Sequence, residues 1–209
     1  WPRVPVLRPT GWHKRRPRSS GAKPGGGSRT HSTPLVDPET IAEAVREVRV
    51  PGRFEGIDRG QGFGEIVDYA HTPDALENAR RAARALTEGR LICVFGCGGD
   101  RDTAKRPRMG RVAENGSDRI ILTSDNPRSE SPEKILSEIM TGIELPEEVT
   151  REEDRRAAIG LGIRMAREGD TVLIAGKGHE DYQEFGNRER IHFADREVAE
   201  EFLKEVCST

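Results

Sequence analysis

From Asp37 onward the apolar positions follow two alternating rhythms. Short apolar runs at 65–70, 91–95, 119–123 and 171–175 are bounded by Gly, Pro, Asp or Asn and read as strands. Between them, apolar residues recur at three- and four-residue spacing near 73–87, 107–115, 132–142 and 154–168, with a last such stretch near 195–206, and these read as helices. The stretch DPETIAEAVREV predicts a short helix over 38–49 that ends before Pro51. RFEGIDRGQGFGEIVDYA reads as two strands joined by the turn Gly60-Gln61-Gly62, and 182–185 with 190–193 reads as a hairpin around Gly186-Asn187. Strands that alternate with helices predict an α/β fold, a mostly parallel sheet covered on both faces.

Composition divides the chain. Residues 1–36 carry eight Lys and Arg and no acid, so the formal net charge of −2 leaves the rest near −10. This leader is rich in Pro, Gly, Ser and Arg, shows no apolar periodicity, and is expected to be disordered. Two readings stand for it: a basic tail for nucleic acid or another polyanion, or a non-native or vestigial extension such as a frameshift product or mis-assigned gene start. The acidic body and an aromatic content of 5% argue against a nucleic-acid partner. No apolar run approaches the ~20 residues of a membrane span. Cys93, Cys97 and Cys207 form neither a disulfide framework nor a metal spacing, and a reducing cytoplasm is the simplest setting.

Open parallel sheets bind ligands beyond the carboxyl ends of their strands. Four polar, Gly- or Pro-containing segments stand there: DYAHTPD (68–74), GCGGDRD (96–102), SDNPR (124–128) and GKGHEDY (176–182). All four are expected to converge on one rim. GCGGDRD fits neither the dinucleotide nor the P-loop pattern, and no GxxxxGK[ST] occurs in the chain; its glycines allow either a tight turn or close approach to an anion. In SDNPR, Pro127 stiffens a loop bearing Asp125, Asn126 and Arg128, a set suited to a carboxylate, though Ser131-Pro132-Glu133 alone also makes a helix cap. GKGHE offers Lys177, His179 and Glu180 beside glycines. Asp68, Tyr69 and His71 precede Thr72 and Pro73, which read as the cap and first residue of the next helix.

VPGRFE (50–55), VDYAHTPDALEN (67–78), VFGCGGDRDTAKRPRMG (94–110), SDNPR and AGKGHEDYQ (175–183) together resemble the C-terminal domain of the Mur ligases, on the diaminopimelate-adding branch, from about Asp37 to the end. The resemblance implies a Rossmann-like three-layer sandwich over 51–209, with 37–50 as a remnant of the preceding ATPase domain. It also implies a cytoplasmic ligase of peptidoglycan biosynthesis using ATP and Mg²⁺. ATP phosphorylates the D-glutamyl carboxylate of UDP-N-acetylmuramoyl-L-alanyl-D-glutamate. The amine of meso-diaminopimelate attacks the acyl phosphate, and the tetrahedral intermediate collapses to an amide with release of phosphate.

By the same resemblance Arg128 grips the remote carboxylate of diaminopimelate, with Asp125, Asn126 and Pro127 shaping the pocket. Arg101 holds another carboxylate, and Gly176 and Glu180 receive an ammonium. Arg53, Asp68, Tyr69 and His71 lie near the nucleotide. The P-loop, the metal-binding carboxylates and the modified lysine of the central domain are not in this sequence, so the polypeptide alone is expected to make no amide bond. Competing expectations are the same step with lysine or another amino acid, a non-catalytic module that binds an amino acid or nucleotide, and a nucleic-acid-associated protein using the basic leader.

Overall fold

The computed structural model describes residues 50–208. The basic leader and the helix expected over 38–49 lie outside the described residues. The chain runs through β1 (Glu55–Gly56), β2 (Gly64–Asp68), α1 (Pro73–Leu86), β3 (Leu91–Phe95), α2 (Lys105–Glu114), β4 (Arg119–Leu122), α3 (Pro132–Met140), a 3₁₀ turn (Pro146–Glu148), β5 (Val149–Arg151), α4 (Arg155–Met165) and β6 (Thr171–Ala175). It ends in the hairpin β7 (Tyr182–Glu184) and β8 (Arg190–His192), with a 3₁₀ turn between the two strands, and α5 (Asp195–Cys207).

The main sheet has the order β1-β2-β6-β3-β4-β5, parallel throughout except for β1, which pairs antiparallel with β2. β3 and β6 are buried at every position, as expected of central strands covered on both faces. On one face α1, α2 and α3 pack through Leu76, Met109 and Ile139 onto Cys93, Phe95, Leu122 and Leu173. On the other, α4 and α5 pack through Ile159, Ile163 and Leu203 onto Ile92, Val94, Ile121 and Ile174. The result is the three-layer sandwich that the alternating rhythms imply.

Local chemistry explains the boundaries. Thr72 caps α1, its Oγ1 accepting from Ala75 N at 3.2 Å, with Pro73 in the first position. Asp154 caps α4 by accepting from Arg156 N and Ala157 N. Ser131 occupies the cap position of α3, but its hydroxyl makes no capping bond. α2 begins at Lys105, two residues before the expected Pro107, because a proline in the first turn lacks only an N–H that has no intrahelical partner. α4 stops at Met165, short of the expected 168: the Asp170 carboxylate accepts from Arg167 N and Gly169 turns at φ +81°, closing the chain into a tight entry to β6. β5 escapes the apolar pattern because it is a three-residue edge strand with exposed Thr150 and Arg151.

Candidate functional site

The parallel strands end level. Asp68 is opposite Ala175, Ala175 opposite Phe95, and Phe95 opposite Leu122, so the four segments that follow leave the sheet along one rim. They touch there. Gly176 N donates to Asp68 O at 3.0 Å, and Gly99 N to Asn126 O at 2.9 Å. Gly176 takes φ +127°, a conformation that L side chains rarely adopt. A Cβ on Gly99 would meet Pro127 O at 1.9 Å, so the loops after β3 and β4 pack backbone on backbone.

Asn126 is the hub of the rim and is 3% exposed. Its Oδ1 accepts from Lys177 Nζ at 2.7 Å and from Glu184 N at 3.0 Å, while its Nδ2 donates to Glu180 Oε2 at 2.9 Å. Lys177 is fully buried, donates also to Tyr182 O at 2.7 Å, and lies 3.3 Å from Asp125 Oδ1. Burial pulls its ammonium below the ordinary lysine value, against the upward pull of Asp125. These bonds set which way the Asn126 amide faces and hold Glu180, whose side chain keeps 20% of its surface; its Oε2 lies 3.9 Å from Lys177 Nζ, and Tyr69 Oη reaches its Oε1 at 3.5 Å. An acidic group held this way suits an ammonium.

Arg128 joins the same network through the hairpin, its backbone N donating to Glu184 O at 3.0 Å. Its Nη1 donates to Gly99 O at 2.8 Å and its Nε lies 3.7 Å from Glu184 Oε2, yet the side chain keeps 18% of its surface. It borders a cavity of about 290 Å³ together with Asp100, Ser129, Glu184 and Arg188, among others. Among the described residues, five besides glycine have positive φ (Phe54, Asp100, Arg128, Asn187 and Arg188), and the last four of these all line this cavity. Backbone held in sparsely populated regions concentrates where a site must be shaped in advance. Arg101 is exposed on the loop after β3 and makes no hydrogen bond or ion pair among the described residues.

The nucleotide-side candidates form a second cluster. The Arg53 guanidinium lies 4.9 Å from the Tyr69 ring centroid, and the His71 and His179 rings lie 4.6 and 5.1 Å from that ring. His71 is exposed, its Nδ1 2.9 Å from Tyr69 O. Asp68 is turned inward: its Oδ2 accepts from Phe54 N at 2.6 Å, and burial raises its carboxyl above the ordinary value against that bond and Arg53. Asp68 thus braces the segment that carries Arg53.

Residues 52–178 match the family described as Mur ligase, glutamate ligase domain. The chain belongs to the Mur ligase family. The UDP-N-acetylmuramoyl-L-alanyl-D-glutamate–2,6-diaminopimelate ligase of Aquifex aeolicus is 54% identical over 168 residues, 80% of this chain and 34% of that protein. The ligase of the same name from Synechocystis is 56% identical over 171 residues, again 80% and 34%. A solved structure of a ligase of that name superposes with a TM-score of 0.72 at 42% identity, covering 78% of this chain and 34% of that one. The bifunctional folylpolyglutamate synthase/dihydrofolate synthase of Yersinia pestis, at 21% identity and TM-score 0.52, shares the fold. This Mur ligase chain therefore spans about a third of the length of the curated relatives it matches.

Several residues of this Mur ligase rim carry no signal in the sequence. Lys177 reads there as one of several polar residues on a turn, yet it is buried at the centre of the network. Glu184 belongs to the hairpin, outside the four segments, and meets both Asn126 and Arg128. Arg155 and Asp195 open α4 and α5, where charged residues normally face water, yet neither is exposed.

Proposed function

We propose that this chain is the amino-acid-accepting domain of an ATP-dependent ligase that adds meso-diaminopimelate to UDP-N-acetylmuramoyl-L-alanyl-D-glutamate in peptidoglycan biosynthesis, a cytoplasmic reaction. The observation that carries it is that one hydrogen-bonded rim, linked through Asn126 and Glu184, holds both a guanidinium, Arg128, and a partly exposed carboxylate, Glu180. Meso-diaminopimelate differs from lysine by one carboxylate at its far end, beside an ammonium. Arg128 suits that carboxylate and Glu180 that ammonium, with Asp125, Asn126 and Pro127 fixing their spacing. Gly176 lets backbone approach the ligand, and Arg101 is free to reach its other carboxylate. The names of the relatives support the same reading.

For ATP, the Arg53, Tyr69, His71 and His179 cluster fits one side of a purine nucleotide, offering aromatic faces and cations. Among the described residues no group of three or more His, Cys, Asp and Glu is placed to hold a metal ion. By the family resemblance the triphosphate and Mg²⁺ are assigned to the other domains of a full-length ligase, and this chain's part is to bind and orient the amino acid whose amine attacks the acyl phosphate.

The test is complementation. The purified chain is mixed with a polypeptide carrying the first two domains of a diaminopimelate-adding relative, with ATP, Mg²⁺ and both substrates. Amide formation is expected in the mixture and not with the chain alone. Ligation by the isolated chain, or preference of the mixture for lysine, contradicts the proposal.

A further inference from the structure

We propose that Glu130, outside every recognised motif, is a positioning residue that fixes Arg128 for carboxylate recognition by latching the loop after β4 to the loop after β3. The inference rests on the reading of Arg128 given above and concerns what holds that side chain.

Arg128 occupies the left-handed region at φ +52°, unfavourable for an L side chain, so its neighbours must hold it there. Three bonds do so directly. Arg128 N donates to Glu184 O at 3.0 Å, Glu130 N closes the turn onto Pro127 O at 3.1 Å, and Arg128 Nη1 donates to Gly99 O at 2.8 Å. The third makes the guanidinium's position depend on the loop after β3, whose residue Asp100 is also left-handed at φ +52°.

The two strained residues are bound by a reciprocal pair of carboxylates. Asp100 accepts from Ser129, Oγ to Oδ1 at 2.6 Å and N to Oδ2 at 3.3 Å. Glu130 accepts in return from Asp100 N, at 2.7 Å on Oε1. Glu130 is then fastened from beneath. The fully buried Arg106 grips it with two bonds, Nη2 to Oε1 at 2.8 Å and Nη1 to Oε2 at 2.9 Å, while Nη2 also holds Gly98 O at 3.1 Å. Glu130 thus joins a buried cation on α2 to the backbone on which the Arg128 guanidinium rests. A glutamine there keeps the shape but loses the charge and one acceptor, and cannot serve Arg106 doubly and Asp100 N together. Arg106 keeps Glu138 at 2.6 Å, so the fold does not depend on Glu130 alone.

A ligand without the remote carboxylate does not use Arg128, so disturbing the latch is selective. Meso-diaminopimelate and L-lysine are titrated calorimetrically into the 209-residue chain, wild type and Glu130→Gln, and amide exchange is followed by NMR. In Glu130→Gln the affinity for meso-diaminopimelate is expected to fall about tenfold with lysine unchanged, and the amides of 98–100 and 128–130 to exchange faster while the rest of the sheet does not. An unchanged affinity ratio with unchanged exchange overturns the inference. A wild-type chain that does not distinguish the two amino acids refutes the carboxylate reading of Arg128 instead, and the exchange rates then decide the latch alone. Should Glu130→Gln fail to fold, Ser129→Ala, at an exposed position, carries the same test: a smaller loss in the same direction supports the latch, and no change in ratio or exchange overturns it.

Discussion

Arg155 lies flat against Asp195, Nε to Oδ1 and Nη2 to Oδ2 both at 2.7 Å, and neither side chain reaches solvent. The pair joins the first residues of the two helices on one face of the sheet. The guanidinium has donors left over, and they go to Ala175 O at 3.2 Å and Ser124 O at 3.5 Å, the carbonyls just before Gly176 and Asp125. The floor beneath the loops after β4 and β6 is therefore a buried ion pair.

Breaking such a pair leaves an uncompensated charge in the interior. Asp195→Asn is expected to cost about 3 kcal/mol of folding stability. Replacing both residues together by Met and Leu should cost clearly less, since no orphan charge remains. Urea unfolding followed by circular dichroism checks this. Equal losses for the single and double variants would mean the pair contributes only packing.

Glu65 is a second buried ionisable side chain, and among the described residues it has no ionic partner. It shares the α4/α5 face of β2 with Val67, is 2% exposed, and neither carboxylate oxygen has a hydrogen-bond partner. Burial pushes its carboxyl up to about 8. The native state then holds a proton that the unfolded chain has released above pH 4.5. Stability from this group is full below pH 4.5 and lost as pH rises toward 8. Glu65→Gln should remove that slope, matching wild type near pH 4.5 and exceeding it by about 3 kcal/mol at pH 7. Urea midpoints across the range measure it, and parallel pH profiles for the two proteins would contradict it.

The thiols differ in the same physical way. Cys93 and Cys97 are buried, with burial raising both to about 12, whereas Cys207 at the end of α5 is exposed. A thiol reagent at neutral pH is expected to modify one cysteine in the folded chain and three in denaturant. Rapid modification of Cys97 would show that the loop after β3 opens far more than its packing implies.

The rim was legible in the sequence because parallel strands all end on one edge, so the polar text after each apolar run falls in one place. The caps at Thr72 and Pro73 were legible for an equally local reason. What stayed hidden is paired over distance. Arg155 and Asp195 are 40 residues apart and Arg106 and Glu130 are 24 apart, and each reads by itself as a solvated charge at a helix or loop. Lys177 looks like a surface lysine until Asn126, Asp125 and the Tyr182 carbonyl close around it. β5 was missed because three residues, two of them exposed, have no period to detect.

The central claim is that Arg128 reads the remote carboxylate of a diamino diacid. Titrating meso-diaminopimelate and L-lysine into wild type and Arg128→Met tests it most directly. The wild-type chain should prefer meso-diaminopimelate, and Arg128→Met should lose at least tenfold for it, the worth of about one charge-assisted hydrogen bond, while binding lysine as before. A substitution that weakens both ligands equally, or neither, contradicts the claim.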